Sequence, residues 1–313
     1  MAPDSSRDGD TSDTSRLCAD LADTFPELAP IAPLRVIGRG VRSLAIVTAG
    51  GVVLRVGQHP DAQVGVEREF RLLPLLADRL PVAVPLPRWR SGSSDRFPYG
   101  VLGYDTLMGV SLRPEMLAFA GISAITRQVG GFLHALHDVP IELARSAGIP
   151  DASAWRDELA VQRDAIVPAL GNHFSADERA IIERWWAAFL VDLRTTLFCP
   201  TLCHSDLWYE HILLDEQSWI VTGILDFGGM RIADPALDIA TQMHLGEPFT
   251  AAVLAAYHLA GAPVDATFGQ RVRRLWEHRE FAGLYDALRL GDADELAGAV
   301  AKIRRGPVLT PIA

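Results

Sequence analysis

The hydrophobic pattern changes period near Gly109, and that change limits the chain to a two-part α+β fold. Before it, short apolar runs alternate with turn residues. Leu34–Ile37, Leu44–Thr48 and Val52–Val56 are strand-like, separated by Gly38-Arg39-Gly40 and by Ala49-Gly50-Gly51. Val66, Phe70, Leu73 and Leu76 share one face of a helix expected over Val64–Leu76. Pro81–Pro87 is extended, because proline fixes φ and lacks a donor. Further strands are expected over Pro87–Arg90 and Tyr99–Thr106. After Gly109 long helical patterns take over, at Ile122–His137, Ser153–Leu170, Ala176–Thr196, Asp238–His244, Phe249–Leu259, Gly269–Leu290 and Asp292–Arg304. Brief strands return near Leu202–His204, Ile212–Asp215 and Val221–Asp226. Residues 1–14, rich in Ser, Asp and Gly, read as a disordered leader, with a short helix expected around Leu17–Thr24. The expected division is therefore a leader over 1–14, a small β-rich lobe over 15–104 and a larger, mainly helical lobe over 105–313.

Composition excludes several classes. A net charge of −10 argues against nucleic acid as the main partner, since phosphate backbones need basic stripes, and it suits a cationic ligand. The polar, acidic start is not a signal peptide, and no apolar run is long enough to span a membrane. The 3 cysteines, Cys18, Cys199 and Cys203, form neither a disulfide framework nor a zinc ribbon. A soluble, cytoplasmic protein with reduced thiols is expected.

The chemistry sits in His204-Ser205-Asp206, followed by His211 and then by Asp226-Phe227-Gly228. Two short hydrophobic strands bracket a turn bearing His, Asp and His, and a further strand ends in Asp-Phe-Gly. Phosphoryl transfer needs this set: one carboxylate to receive or orient the proton of an attacking hydroxyl, another with a nearby ligand to hold the metal that bridges the phosphates. Earlier in the chain, Gly38 and Gly40 let backbone N–H groups approach a phosphate, and Ser43 offers one more donor.

These strings resemble the aminoglycoside and macrolide phosphotransferases, antibiotic kinases that share the protein-kinase fold. The usual pattern is His-Gly-Asp-x-x-x-x-Asn, then Ile-Asp-Phe-Gly, then Asp-Pro-Ala-x-Asp-Leu. This chain has His204-Ser205-Asp206, Leu225-Asp226-Phe227-Gly228 and Asp234-Pro235-Ala236-Leu237-Asp238-Ile239. Ser205 replaces the usual glycine, a mild change. His211 replaces the metal-binding asparagine, as in the 2″-aminoglycoside and macrolide branches, although imidazole suits hard Mg²⁺ less well than oxygen does.

The resemblance implies a protein-kinase-like bilobal fold, with a nucleotide-binding lobe over 15–104 and a catalytic and acceptor-binding lobe over 105–313. It implies Asp206 as catalytic base and His211 and Asp226 as Mg²⁺ ligands. Arg55 would contact the phosphates of ATP or GTP and pair with Glu69, and the backbone at Asp105, Thr106 and Leu107 would meet the purine. It implies an alcohol acceptor, most simply an aminoglycoside or macrolide antibiotic. For a cationic acceptor the candidate carboxylates are Glu277, Glu280 and Asp286 on a late helix, whose apolar neighbours Trp276, Phe281 and Tyr285 leave room for a macrolide. A metabolic small-molecule kinase of the same fold, a silent nucleotide-binding module and a metal-dependent phosphohydrolase are the alternatives. His204 reads as a brace for the loop, and Asp234 as an anchor. Asp238 reads as a helix-start residue able to brace the loop as well. His134, His137 and the Trp185-Trp186 pair read as core.

Overall fold

The computed structural model describes residues 7–40, 43–118, 121–195 and 197–310. The elements, in chain order, are α1 (Arg7–Thr24), β1 (Arg35–Arg39), β2 (Ser43–Val47), β3 (Val52–Gly57), α2 (Pro60–Leu76), β4 (Pro87–Ser91), β5 (Val101–Asp105), β6 (Val110–Ser111), α3 (Ile122–His137), α4 (Ile141–Ser146), α5 (Ala152–Ala169), α6 (Ala176–Thr195), β7 (Thr201–Cys203), β8 (Ile212–Leu214), β9 (Val221–Ile224), β10 (Arg231–Ala233), α7 (Ala236–Ala240), α8 (Glu247–Leu259), α9 (Phe268–Leu290) and α10 (Ala293–Arg305). The long helices fall close to the predicted spans. The sequence reading passed over β6, α4 and β10, which are too short to show a period.

The first packing unit comprises the described residues up to Leu112 together with Glu210–Gly229. Its main sheet has the order β1-β2-β3-β5-β4 and is antiparallel throughout. α1 covers part of it. Leu21 and Phe25 pack with Leu44, Ile46, Leu54, Phe97 and Val101 in one buried cluster. The sequence reading left residues 7–14 without order, whereas the helix begins at Arg7; residues 1–6 lie outside the described residues. α2 starts where proline's fixed φ suits a first turn, at Pro60, with His59 accepting from the Asp61 amide at 3.4 Å. It buries Val66, Leu73 and Leu76 of the expected face together with Glu69 and Leu72, while Phe70 is only half-buried. A smaller sheet has the order β6-β8-β9. Its tight entry needs Gly109, at φ 116, where a Cβ would collide with the Thr222 hydroxyl and lie 2.9 Å from the Leu214 carbonyl. Because β6 bonds β8, packing groups these strands with the first unit. The lobe boundary at 104/105 remains our proposal for the functional division.

The second unit comprises Arg113–Tyr209 and the described residues from Met230 onward. Here α3 packs on α8, α7 and α10 pack on α9, and β7 pairs with β10. The core is aromatic. Trp185 stacks on Phe189 at 4.8 Å and on Phe281 at 4.9 Å, and His278 stacks on Phe189 at 5.2 Å. Trp185 and Trp186 are both buried, as the sequence suggested. α10 is capped by Asp292, which accepts from the amides of Asp294 and Glu295, and α9 ends at Gly291 in the left-handed region. No described helix is long and apolar enough to cross a membrane.

His278 is buried and bonds Gln162 Oε1 at 2.9 Å. Burial, then the charge of Arg231, pushes its pKa from 6.5 down to about 3. Between these values the unfolded chain binds a proton that the native chain refuses, so stability falls as pH drops through this window. At about pH 4.5 the loss is on the order of 2 kcal/mol. Thermal melts should show wild type losing that stability between pH 7 and about 4.5, while a His278→Phe, Gln162→Leu double variant loses less over the same range.

Candidate active site

In the first unit, four side chains form a chain of charge. Arg55, on β3, donates from Nη1 to both oxygens of Glu69 at 2.8 Å each, and its Nη2 lies 3.0 Å from Asp226 Oδ1. Glu69 projects from the buried face of α2, so the sheet and the helix fix the pair from two sides. Burial pulls the Arg55 guanidinium down, but the carboxylates of Asp226 and Glu69 outweigh it and the pKa rises. Burial pushes the Glu69 carboxyl up to about 7, against the opposing pull of Arg55. The expected Arg55–Glu69 pairing is present, and Glu67, two residues earlier on α2, bonds Arg90.

Asp226 follows β9 with φ 60, a conformation that costs a non-glycine residue roughly 1–2 kcal/mol. Its Oδ1 faces Arg55, and its Oδ2 lies 3.7 Å from His211 Nε2. Two ligands at about 2.1 Å from one cation stand roughly 3–4 Å apart, so these donors fit a divalent ion. The mixed oxygen and imidazole set is softer than an all-oxygen one. Gly228 explains how the cluster closes. A Cβ there would lie 3.1 Å from Arg55 Nη2, 3.1 Å from Glu69 Oε1 and 3.5 Å from Asp226 Oδ1.

Gly38 pairs with Ala45 across β1 and β2, and the Gly40 amide donates to the Ser43 carbonyl at 3.0 Å. A Cβ at Gly38 or Gly40 would meet only ordinary contacts, so the protein's own packing does not demand these glycines. Val41 and Arg42, in the same loop, lie outside the described residues. The expected purine contact at Thr106 needs correcting. Its amide and hydroxyl both donate to the Gly51 carbonyl, at 2.9 and 2.7 Å, which continues the ladder of β3 with β5. Asp105 is still within that ladder, opposite Val52, and its carboxylate pairs with Arg88 at 2.6 Å. Leu107 is the residue of the three that lies beyond the ladder.

In the second unit, Asp206 is exposed on the turn after β7. Asp238 organises that turn. Fully buried, it accepts the His204 amide at 2.8 Å and the Ser205 amide at 2.6 Å, and it bonds His137 Nε2 at 3.0 Å. His137 Nδ1 in turn bonds the Tyr257 hydroxyl at 2.8 Å. Burial alone would raise the Asp238 pKa, but the bonds and charge of His137, together with His204 and the Ser205 amide, hold it below the usual carboxylate range. His204 is buried and its Nδ1 accepts the Asp206 amide at 3.3 Å. Asp234 takes the Ala236 amide and Arg271 Nε, anchoring the chain after β10. Asp238 was legible as a brace. Its partner His137, and the Tyr257 that bonds His137 in turn, were not, since the two contacts span 101 and 120 residues and carry no local signal.

Ser205 corrects an expectation. It stands at φ 72, and its buried hydroxyl has no hydrogen-bond partner. The exchange of glycine for serine is therefore a strained one. The three α9 acids each have a partner within the chain. Glu277 accepts from Trp185 Nε1 at 2.8 Å and from Arg274 at 3.1 Å, Glu280 pairs with Arg279 at 3.1 Å, and Asp286 pairs with Arg289 at 3.5 Å.

A sequence profile of the phosphotransferase enzyme family matches residues 34–298. The chain belongs to that family. This phosphotransferase is 38% identical over 234 residues to the uncharacterised protein YcbJ of Bacillus subtilis, covering 71% of this chain and 72% of the relative. A solved GDP and kanamycin complex of the aminoglycoside phosphotransferase APH(2″)-IIIa superposes with a TM-score of 0.82 at 24% identity, covering 93% of this chain and 97% of that one. Macrolide 2′-phosphotransferase type I superposes with a TM-score of 0.72 at 25% identity, covering 94% and 97%. The fold is the kinase-like α+β fold of these antibiotic kinases, some of which are solved with GDP, ADP or ATP. The chain is thus a phosphotransferase of this family, with structural matches to antibiotic kinases.

Two outcomes follow from these contacts. Gly228→Ala should push Arg55, Glu69 and Asp226 apart and weaken nucleotide binding roughly tenfold, read by calorimetry, with the thermal midpoint little changed. Ser205→Gly removes left-handed strain of roughly 1–2 kcal/mol and an orphaned hydroxyl, against about 0.5–1 kcal/mol of added chain entropy. Urea denaturation should therefore show a net gain on the order of 1 kcal/mol.

Proposed function

We propose that the enzyme moves the γ-phosphoryl group of ATP or GTP to a hydroxyl of a small molecule, an antibiotic or a similar ring-bearing alcohol. The observation that carries this reading is the ion chain Glu69–Arg55–Asp226, with His211 Nε2 3.7 Å from the second oxygen of the Asp226 carboxylate. Arg55, oriented by Glu69, would bind the nucleotide phosphates. The loop at Gly38, Gly40 and Ser43 would cover them. Leu107, just past β5, would meet the purine. Asp226 and His211 would hold a divalent cation, which neutralises charge building up on the phosphates.

Asp206, five residues before His211 in the chain, is the proposed base. In the transfer step the acceptor oxygen forms a bond to the γ-phosphorus while the bond from that phosphorus to the bridging oxygen breaks. The nucleoside diphosphate leaves, and the hydroxyl proton passes to the Asp206 carboxylate. Asp238 contributes by fixing the two amides that precede Asp206, so the carboxylate meets the hydroxyl without reorganising. A metabolic alcohol as acceptor is the second reading. It is favoured by the arginine partners of the α9 acids, which reduce the negative charge offered to a polycation.

A nucleotide-consumption screen over aminoglycosides, macrolides and metabolic alcohols tests the proposal. Acceptor-dependent turnover should appear with at least one class and should vanish on chelation of divalent cations. Asp206→Ala should reduce it by about 10²- to 10⁴-fold, with nucleotide affinity little changed. Release of free phosphate at the same rate without any acceptor would contradict transfer.

A further inference from the structure

Beside the proposed base lies a second feature that transfer itself does not require. Trp208 and Tyr209 lie two and three residues after Asp206, and the Trp208 amide donates to the Asp206 carbonyl at 3.0 Å. The turn that presents the carboxylate therefore presents an indole as well. Trp208 lies against Tyr209 at 4.8 Å and against His244 at 5.5 Å, and His244 meets Trp276 edge-on at 5.1 Å. The four rings come from three elements: the catalytic turn, the 3₁₀ segment Thr241–Leu245 and α9. All four are half-buried, in contrast to the closed aromatic core around Trp186 and Phe281. Each ring therefore keeps surface to offer.

The charge around this wall is unlike that of a polycation site. Arg279 lies over Trp276 at 5.6 Å and is paired with Glu280. Burial lowers the Arg279 pKa, opposed by Glu280 and by Asp206, which puts the guanidinium within electrostatic reach of the proposed base. Burial, then Arg279 and Lys302, pushes His244 down to about 4, so its imidazole is a neutral ring at physiological pH. Cationic side chains thus flank the wall, and the α9 acids already have arginine partners. A ligand with several positive charges would find those acids already paired. A saturated ring with an apolar face would find flat π-surfaces to cover it.

We propose that Trp208, Tyr209, His244 and Trp276 form the acceptor platform, selecting alcohols that present an apolar ring face and carry at most one positive charge. This rests on the transfer reading of Asp206 and adds the substrate class to it.

The test uses the full chain with nucleotide and Mg²⁺ and three probes: erythromycin as a singly charged macrocyclic glycoside, kanamycin as a polycation, and choline as a small cation that aromatic cages can hold. Binding is read from quenching of tryptophan fluorescence, and transfer from nucleotide consumption. Erythromycin should quench and kanamycin should not. Trp276→Ala should raise the erythromycin Kd and KM about tenfold, with the loss in KM rather than kcat, and Trp276→Phe should restore most of it. Thermal melts of both variants check folding, and Trp208→Phe gives an independent probe of the same wall. Quenching that Trp276→Ala abolishes, without nucleotide consumption, would keep the platform and sink the transfer reading. Kanamycin turnover unaffected by Trp276→Ala would keep transfer and sink the platform. Tighter binding of choline than of erythromycin, or no quenching by erythromycin, would also overturn the platform.

Discussion

One buried carboxylate fixes the geometry of the catalytic turn. Asp238 takes hydrogen bonds from two successive amides, those of His204 and Ser205, and a third from His137. An ion held at 0% exposure is costly unless its lone pairs are satisfied, and here they are. With both amides pinned, the backbone at residue 205 has no freedom to relax. That is why serine persists there in a left-handed conformation: the surroundings over-determine it. Asp206 inherits its direction from this arrangement. The Tyr257 hydroxyl extends the same network into α8, so the turn is tied to the helical core rather than to a neighbouring loop.

Asp226 repeats the logic with a different partner. It too has positive φ, and it too is gripped, in this case by Arg55, whose other hand holds Glu69. The two carboxylates proposed for chemistry therefore stand at or beside strained backbone, each secured by ionic contacts of a more buried group. Exposed pairs such as Arg88–Asp105 have no such role, because solvent screens them and their side chains move freely.

The sequence disclosed what is contiguous. Helices longer than a dozen residues carry their period openly, and the catalytic strings lie within 35 consecutive positions, from His204 to Asp238. What escaped is either too short or too distant. β6, at two residues, has no pattern to read, and His137, which bonds Asp238, lies 101 positions away. At Thr106 the residue type gave no hint that its amide would close a ladder onto Gly51. On α9 the acids were visible, but the arginines that neutralise them interleave at helical spacing. Only rotamers decide which acid meets which arginine. Ser205 shows the opposite limit, since its strain lies in a dihedral angle that composition cannot express.

The pairing of β6 with β8 also bears on how the chain is made. Ser111 and Ile212 are about 100 residues apart, so at about 5–20 residues per second β6 leaves the ribosome roughly 5–20 s before its neighbour exists. The five-stranded sheet can close during that interval, while the catalytic strands must wait for the long helices between them. Truncation at Leu112 would leave β6 without its β8 partner.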